Sequence, residues 1–446
     1  MIRNDARDCP LTTASVEALA EFEKAQRLFS LYASDPLAAL QAAVDIDPGF
    51  ALAHVMRAHL LISGAEMTAR DDADAALKAA ERYAAGLTAR ERGHLAAARA
   101  WFRGDLAGAS RIFDAVLADH PRDLLALQMG HTVDFYLGDS ISLRDRVARV
   151  LPHWDAGVPG FGHVQGMHAF GLEEMGDYAA AERSGRAAVE RDARDAWAVH
   201  AVAHVMEMEG RSADGIAWLH ETQAGWVPEN FFATHNWWHL ALFHLDRGEA
   251  DRVLELYDSQ IRAGRSPVVL DMVDASAMLW RLNLLGVDLG NRPQELAEDW
   301  APRARDGLYA FSDAHAAMAF LLAGRCDLLR DTFVAMDEAA MDDSRSNGRM
   351  TRDVGLPLVR ALHAFKAGRY AEAVEGLRRI KGIAVRFGGS NAQRDLIHWT
   401  MTEAALRDGD RSSARGLVKQ RATLKPNSVQ AARMLARLNP GEARAA

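Results

Sequence analysis

A glycine recurs along the chain at intervals of 34 to 44 residues, and each one stands between two amphipathic segments. Glycine takes up a left-handed backbone conformation without a Cβ clash, so it suits a tight turn between two helices. A chain built this way must stack successive helix pairs, because one pair cannot bury its own apolar face. The recurring glycines are Gly104, Gly138, Gly176, Gly210, Gly248, Gly290, Gly324, Gly368 and Gly409.

The shortest interval, 34 residues, matches the period of the tetratricopeptide repeat, in which helix A, a turn and helix B form one unit. No alternating apolar and polar pattern predicts a strand. The sequence therefore predicts an all-α fold, a tetratricopeptide-like α-solenoid of antiparallel helix pairs in a single continuous superhelix. The longer intervals predict longer helices or loops in some repeats.

One repeat domain is expected over residues 1–446. Within it, residues 1–60 are predicted to form an N-terminal capping repeat, residues 61–394 the central repeats, and residues 395–446 the C-terminal capping helices. Capping repeats close the ends of the stack, where the last helix pair has no neighbour to pack against.

The composition argues against several classes of protein. Lysine and arginine number 52 against 61 acidic residues, and a net charge of −9 argues against a nucleic-acid-binding surface. Only two cysteines, Cys9 and Cys326, are present, which excludes a disulfide framework and fits a reducing compartment. The N-terminus lacks the apolar run of a signal peptide, and no window of about 18 residues is apolar enough to span a membrane. A cytoplasmic protein without nucleic-acid or membrane partners is predicted.

Histidines and tryptophans concentrate in the middle of the chain. Nine of the 17 histidines and six of the ten tryptophans lie between residues 153 and 244. Helix A, which precedes the glycine, is expected to line the concave side of the stack, so its polar residues are candidates for a site. Such residues precede six of the glycines: His131 and Asp134; His163, His168 and Glu173; His200, His204 and Glu207; His235, His239 and His244; Asp271 and Asp274; Asp313 and His315.

Some of these residues recur at helical spacing. Residues three or four positions apart lie on one face of a helix, one above the other. Since A helices of adjacent repeats are neighbours, such pairs are expected to face one cavity. The pairs are His200 with His204, His235 with His239, and Asp271 with Asp274.

Four interpretations of this cluster remain open. Buried histidines and aspartates can form a structural hydrogen-bond network between repeats. Neutral imidazoles with carboxylates suit Zn, Fe or Mn, and the scarcity of cysteine argues against a thiolate zinc site. The same groups can act as general acid and base in a metal-free enzyme. The remaining interpretation is a groove that binds a peptide or small ligand without chemistry.

The adjacent tryptophans Trp237 and Trp238 point about 100° apart around a helix, so they cannot share one face. Trp238 lies nearer the face of His235 and His239 and is the candidate wall of a pocket, with core packing as the alternative. Farther along, FGGSNAQRD (residues 387–395) predicts a glycine loop and a helix start, where Arg394 could help to hold an anion. A plain capped turn is the alternative for this segment.

Long strings in the chain resemble the tetratricopeptide repeat protein thirty-eight family, also called StaR-like. They include DCPLTTAS, HPRDLLALQMGHTVDFYLGD, DAWAVHAVAHVMEMEGR, THNWWHLALFHLDRGE, FSDAHAAMA, RDVGLPL, GGSNAQRD and LKPNS. The resemblance covers nearly the whole chain. It implies an all-helical repeat fold and brings no catalytic residues with it.

The sequence thus predicts a repeat protein whose enclosed concave pocket binds a small ligand, with a divalent Zn, Fe or Mn ion as a candidate cofactor. Two alternatives stay open: a metal-dependent hydrolase or oxygenase acting on a small molecule, and a scaffold that binds a peptide. A homodimer is also left open. The candidate metal ligands are His200, His204, His235, His239, Asp274, Asp313 and His315. The candidate ligand contacts are His131, His168, Glu207, Asn236, Trp238, Asp271 and Arg394.

Overall fold

The computed structural model describes residues 1–438, and these residues form helices almost throughout. The helices up to residue 226 are α1 (Val16–Ser30), α2 (Pro36–Ile46), α3 (Ala51–Ser63), α4 (Arg70–Glu81), α5 (Ala89–Phe102), α6 (Leu106–Asp119), α7 (Leu124–Leu137), α8 (Ser140–Val150), α9 (Phe161–Glu174), α10 (Tyr178–Arg191), α11 (Ala196–Glu209) and α12 (Ser212–Trp226). Those that follow are α13 (Ala233–Arg247), α14 (Ala250–Leu256), α15 (Val269–Leu284), α16 (Arg292–Trp300), α17 (Ala310–Ala323), α18 (Cys326–Ala340), α19 (Ser346–Met350), α20 (Leu356–Lys366), α21 (Tyr370–Ile380), α22 (Asn391–Asp408), α23 (Arg411–Leu424) and α24 (Val429–Leu438). The predicted all-α, tetratricopeptide-like repeat fold is confirmed.

The recurring glycines adopt the predicted left-handed conformation, with φ between 55° and 89° at all nine positions. At Gly138, which follows α7, the Gly138 N–H donates to the carbonyl of Phe135 at 3.0 Å, and the next N–H donates to that of Asp134 at 2.9 Å. This pair of bonds satisfies carbonyls that the end of a helix would otherwise leave without donors. A Cβ at this φ would be strained, which explains the repeated glycine.

One of the nine glycines, Gly290, does not end a helix. The helix before it, α15, ends at Gly286, which has φ 74°. The Gly286 N–H donates to the Asn283 carbonyl, and the Val287 N–H donates to the Leu282 carbonyl. Gly290, four residues later, belongs to the loop before α16. Counting from Gly286, the intervals on either side become equal at 38 residues, so the repeat is more regular than Gly290 suggested.

The residue after several of these glycines starts the next helix. The side chains of Asp105, Asp139 and Asp177 accept backbone N–H groups three residues ahead, at 2.8, 3.0 and 3.3 Å. An aspartate at this position satisfies a free donor and places a negative charge at the positive end of the helix dipole. The dipeptide Gly-Asp therefore ends one helix and begins its partner.

By the proximity of their Cα atoms, the residues fall into two compact units. The first comprises Met1–Val202, Thr222–Ala233 and Ser344–Ser346; the second comprises Ala203–Glu221, Thr234–Asp343 and the described residues from Asn347 on. In the first unit, consecutive helices from α1 to α10 pack in sequence; in the second, α15 to α18 and α20 to α24 do so. The division passes through α11 and α12, so each unit contains parts of both helices.

The segment 222–233 is tied to the first unit beside the end of α1. The Ser34 N–H donates to the Glu229 carbonyl at 2.8 Å, and the Phe231 N–H donates to the Tyr32 carbonyl at 2.9 Å. The Asn230 side chain donates to the Leu31 carbonyl at 2.9 Å. These bonds join parts of the chain that lie about 200 residues apart in sequence.

A short antiparallel hairpin precedes α1, formed by β1 (Ile2–Asn4) and β2 (Pro10–Thr12), with Ile2 opposite Thr12. The sequence did not predict it, because strands of three residues are too short to show alternation. Arg90 on α5 anchors the hairpin: its guanidinium donates to Asp5 at 3.1 Å, to the Pro10 carbonyl at 3.3 Å and to Asp123 at 2.6 Å. His94 also bonds to Asp123, at 2.7 Å.

The boundaries predicted for the capping repeats fall inside helices. Residue 60 lies within α3 and residue 394 within α22. Residues 439–446 of the predicted C-terminal cap lie outside the described residues. The division into caps and central repeats stays a prediction.

No helix in residues 1–438 combines the length and the apolar composition needed to cross a membrane.

Candidate functional site

The core of the candidate site lies on α13 in the second unit. His235, Trp238 and His239 share one face of this helix, as their spacing of three and four residues requires. The rings of His235 and Trp238 stack, with centroids 5.3 Å apart and planes 13° apart. His239 meets both rings edge-on, each at 4.9 Å between centroids. Trp238 is fully buried and forms one wall of the histidine cluster.

The third imidazole belongs to His204, which lies in the part of α11 that belongs to the second unit. The rings of His204 and His239 lie 4.6 Å apart, and both residues are fully buried. A ligand nitrogen from each of His204, His235 and His239 lies within 4.8 Å of the other two. We refer to these three residues as the histidine triad. The structure thus brings α11 and α13 together through the faces that the sequence predicted.

Asp274 on α15 holds the ring of His235. Its Oδ2 lies 2.7 Å from Nδ1 of His235, and Asp274 is buried. Because an ionised carboxylate can only accept a hydrogen bond, we assign the proton to Nδ1 of His235. With the proton on Nδ1, Nε2 is the ring nitrogen that a metal ion would bind. Asp274 therefore orients the His235 ring, and its role as a metal ligand stays a prediction.

Burial, together with neighbouring His204 and His235, holds the pKa of His239 well below its usual value. Arg281 and Lys425 act in the same direction. Three imidazoles this close together, with two of them fully buried, disfavour a protonated ring because like charges would repel each other. His239 is therefore neutral at physiological pH, in the form that binds metal ions.

Charged side chains surround the histidine triad within the second unit. Lys425 donates to Glu207 at 2.7 Å and lies 3.7 Å from Asp395. Arg421 forms two hydrogen bonds with Asp395, at 2.7 and 2.8 Å. Although burial acts to raise it, the cations of Arg421 and Lys425 hold the pKa of Asp395 below its usual value. Glu207, predicted to contact a ligand, therefore pairs with a lysine.

Arg281 lies over the face of Trp238, with its guanidinium carbon 5.3 Å from the ring centroid. The side chain is fully buried and donates to the Ala392 carbonyl at 2.9 Å. Burial lowers the pKa of Arg281 to about 10. The guanidinium stays charged at neutral pH and fixes one side of the tryptophan ring by a cation–π contact.

Two further predicted residues lie next to this cluster in sequence. Asn236 is fully buried on α13. Asp271, in the first turn of α15, accepts a hydrogen bond from Ser266 Oγ at 2.6 Å. Burial raises the pKa of its carboxyl to about 6, against the effect of that bond. Ser266 thus provides a local partner for Asp271, and roles in ligand binding stay predictions for both residues.

The structure places Asp313 and His315 on α17, and neither belongs to the close group of nitrogens described above. His315 Nδ1 donates to the Phe311 carbonyl at 2.7 Å, and its ring lies 4.4 Å from that of Phe311. Burial raises the pKa of Asp313 to about 8, while a hydrogen bond from the Gly307 backbone acts to lower it. Both side chains have partners within or just before their own helix.

Arg394 lies where the sequence placed it, at the start of α22. Its guanidinium donates to the carbonyls of Gly388 and Gly389 and, at 2.9 Å, to the side chain of Asn391. Ser390 caps the helix, since its hydroxyl accepts the Gln393 N–H at 3.2 Å. The segment is therefore a capped turn that Arg394 braces. Its role in binding an anion stays a prediction.

The first unit contains the remaining predicted residues, His131, His168 and His200. The ring of His200, one turn before His204 on α11, stacks on Phe170 at 5.5 Å. His131 meets Phe170 and Trp197 edge-on, each at 5.9 Å. His168 is half-buried on α9, and burial lowers its pKa. His131 and His200 thus lie in an aromatic cluster of the first unit, and their binding roles stay predictions.

Replacing His131 with leucine is expected to make the protein more tolerant of acid. Burial lowers the pKa of His131 from 6.5 to about 3. Between these values the unfolded chain binds a proton at this ring and the folded chain does not, so His131 costs stability as the pH falls. In denaturant titrations from about pH 6.5 to 4, the variant should lose less stability than the parent, by about 1 kcal/mol for each pH unit. Equal slopes would show that the folded protein also protonates this ring.

Sequence reasoning missed Arg281 and Lys425. Each had a signal: Arg281 stands alone in the apolar run SAMLWRLNLL, and Lys425 precedes a proline just after α23. A charged residue in an otherwise apolar helix is seldom buried without a partner. The partners themselves could not be read from the sequence, because Glu207 and Lys425 are 218 positions apart.

Comparison with known proteins gives little beyond the structure. No protein-family model matches the chain. Among solved structures, the chain is similar to one described as the crystal structure of the APC/C hetero-tetramer Cut9–Hcn1, with 13% sequence identity. The match covers 94% of this chain and 76% of the other, with a TM-score of 0.44.

Proposed function

We propose that this helical-repeat protein binds a divalent transition-metal ion through the histidine triad and, through the ion, a small anionic ligand. The observation that carries the proposal is the convergence of nitrogens from His204, His235 and His239 within 4.8 Å of one another. The hydrogen bond from His235 to Asp274 supports it, because metal-binding histidines commonly donate their second nitrogen to a carboxylate.

The distances suit a metal ion after small side-chain rotations. Zinc–nitrogen bonds of about 2.0–2.1 Å in a tetrahedral shell place neighbouring nitrogens about 3.3 Å apart. Nitrogens that already lie within 4.8 Å of one another need to approach by at most about 1.5 Å to reach that distance. Three protein ligands leave one position of the shell open for water or a ligand, as in catalytic zinc sites.

The charges around the triad favour an anion on the metal. Six buried or partly buried ionic groups of the second unit around the triad are three cations and three carboxylates, which balance one another, and Asp271 adds one further carboxyl group, whose pKa burial raises to about 6. A divalent ion bound by three neutral imidazoles would add two positive charges, which an anionic ligand offsets. The six groups are Arg281, Arg421, Lys425, Glu207, Asp395 and Asp274.

Imidazole donors restrict the choice of metal. They suit Zn, Fe, Ni and Cu, and with a carboxylate nearby also Mn, whereas calcium and magnesium prefer oxygen ligands. Neither cysteine contributes a thiolate to this group of donors among the described residues. The metals predicted from the sequence, zinc, iron and manganese, are therefore among those that this set of donors suits.

Protein purified without a histidine tag, stripped of metal and reloaded is expected to hold about one equivalent of Zn, Fe or Mn, since the triad offers one set of ligands. Replacing His204 or His239 with glutamine should abolish this uptake. Asp274→Ala should weaken metal binding by about 10- to 100-fold, because the carboxylate orients His235 without touching the ion. Elemental analysis and competition with a chelator dye measure both effects.

His220→Gln is the matched control, because His220 is exposed on α12 and lies outside the triad. It should leave metal uptake unchanged. Uptake below about a tenth of an equivalent after reloading, at metal concentrations that saturate ordinary zinc sites, contradicts the proposal. In that case the triad is a structural network, and the variants should alter stability alone.

A further inference from the structure

A cleft of about 370 Å³ opens in the second unit, apart from the residues of the histidine triad. The ends of α13 and α15 form one side of it, and residues of α22 and α24 form the other. Its volume falls within the range of small-molecule sites, which are typically about 300–1,000 Å³. The chemistry of the lining identifies the class of molecule that fits.

Basic groups outnumber acidic ones in the cleft, with three arginines and one glutamate. Glu403 is buried and accepts hydrogen bonds from Arg407 Nε at 2.8 Å and Arg437 Nη1 at 2.7 Å. Arg433 donates to the Arg247 carbonyl at 3.1 Å. The lining keeps a net charge of +2, and a guanidinium has five N–H donors with which to meet a planar carboxylate.

A hydrogen-bond acceptor in the lining also points to a ligand. Gln430 is 4% exposed, and its Oε1 meets no hydrogen-bond donor among the described residues. A buried amide oxygen without a donor is costly. An N–H group on a molecule in the cleft would remove that cost after a small rotation of the glutamine side chain.

The rest of the lining includes apolar surface. Leu245, Leu284 and Met434 are buried around the cleft. Leu285 also lines it and leaves 39% of its surface exposed. Covering this leucine with an apolar group would release water from both surfaces.

We propose that this cleft binds a small monocarboxylate that carries an apolar group and an amide N–H, of the N-acylamino acid class. The carboxylate pairs with Arg433 and Arg437, the N–H donates to Gln430 Oε1, and the apolar group covers Leu285. This site is independent of the metal proposed above, so metal-free protein should bind the ligand as well as the metal-loaded form does.

N-acetyl-L-leucine is the probe, titrated into metal-free protein by calorimetry. Saturable binding is expected with a dissociation constant of about 1 mM or lower, the scale for a small ligand with a few charge-assisted hydrogen bonds. N-acetyl-L-leucinamide lacks the charge and should bind at least about tenfold more weakly.

Variants separate the contributions of the lining. Arg433→Gln and Arg437→Gln should each weaken binding about tenfold. Arg415→Gln, at an exposed position on α23 outside the cleft, should leave it unchanged. Gln430→Met should weaken N-acetyl-L-leucine several-fold and leave 4-methylpentanoate, which has no N–H, unaffected. Thermal unfolding of each variant checks that the fold is intact.

Three results would overturn the proposal. The first is no saturation at about ten times the expected dissociation constant. The second is equal binding of the acid and the amide, which removes the role of the arginines. The third is binding only of a leucine-terminated peptide with a free carboxylate, since that outcome assigns the cleft to a peptide end and not to a small molecule.

Discussion

Replacing Trp238 with alanine is expected to lower the free energy of unfolding of the second unit by about 3–5 kcal/mol and to remove metal binding. The side chain is fully buried, so truncation leaves a cavity that its neighbours cannot fill completely. The ring also stacks on His235 and meets His239 edge-on, so both imidazoles lose the surface that fixes their orientation. Denaturant titration and metal analysis give the two readouts.

Trp300→Ala is the control that separates the loss of stability expected for Trp238→Ala from its loss of metal binding. Trp300 is also fully buried in the second unit, but its indole donates to Ser276 Oγ at 3.0 Å. Its loss should cost a similar 3–5 kcal/mol while metal uptake survives in protein that remains folded. Trp238→Phe, which retains an aromatic face, should restore part of the uptake. If Trp238→Ala keeps full uptake, the tryptophan serves the core and not the site.

Arg90→Met is expected to destabilise the first unit by about 3–5 kcal/mol, the typical cost of removing one partner from a buried ion network. Asp5, Asp123 and Arg90 have fully buried side chains. Burial acts to raise the pKa of Asp123, but Arg90 and His94 hold it well below its usual value. Without the guanidinium, both carboxylates lose their main cationic partner and the hairpin loses its anchor.

Arg111→Met tests whether this effect belongs to the network. Arg111 lies on α6 with its side chain exposed, and arginine and methionine have similar helix propensities. This change should stay within about 0.5 kcal/mol. Limited proteolysis should cut the first residues of Arg90→Met faster than those of the parent. Equal stability of the two variants would mean that the hairpin is held by its own contacts.

The fold could be predicted from the sequence because its main signals are local. A glycine with a left-handed backbone ends a helix wherever it occurs, and an aspartate after it caps the next helix, as at Gly138 and Asp139. The prediction that Gly290 ends a helix was wrong, and the reason is again that the signal is local. Two glycines four residues apart both suit a turn, and only the carbonyl geometry shows that Gly286 ends the helix.

The site could be predicted in part, again where spacing along one helix decides the outcome. The spacing of His235 and His239 fixed their common face, and stacking of repeats brought His204 and Asp274 to it. Asp313 and His315 carried the same kind of signal, yet they bond within or near their own helix. The spacing of polar residues on an inner helix predicts which face of the helix they share, but it does not predict which residues they contact.

The bonds between residues 31–34 and 229–231 have a consequence for synthesis. The chain leaves the first unit after Val202 and returns to it at Thr222, so ribosomes must make more than 230 residues before that unit has all of its main segments. Until then, Tyr32 lacks the aromatic rings of Phe231 and Phe232, which lie 5.3 and 4.8 Å from it in the finished protein. A nascent chain that stops near residue 202 therefore leaves the side of the Tyr32 ring that faces these two residues uncovered. Because each unit consists of several separate segments of the chain, no single cut in the chain releases either unit whole.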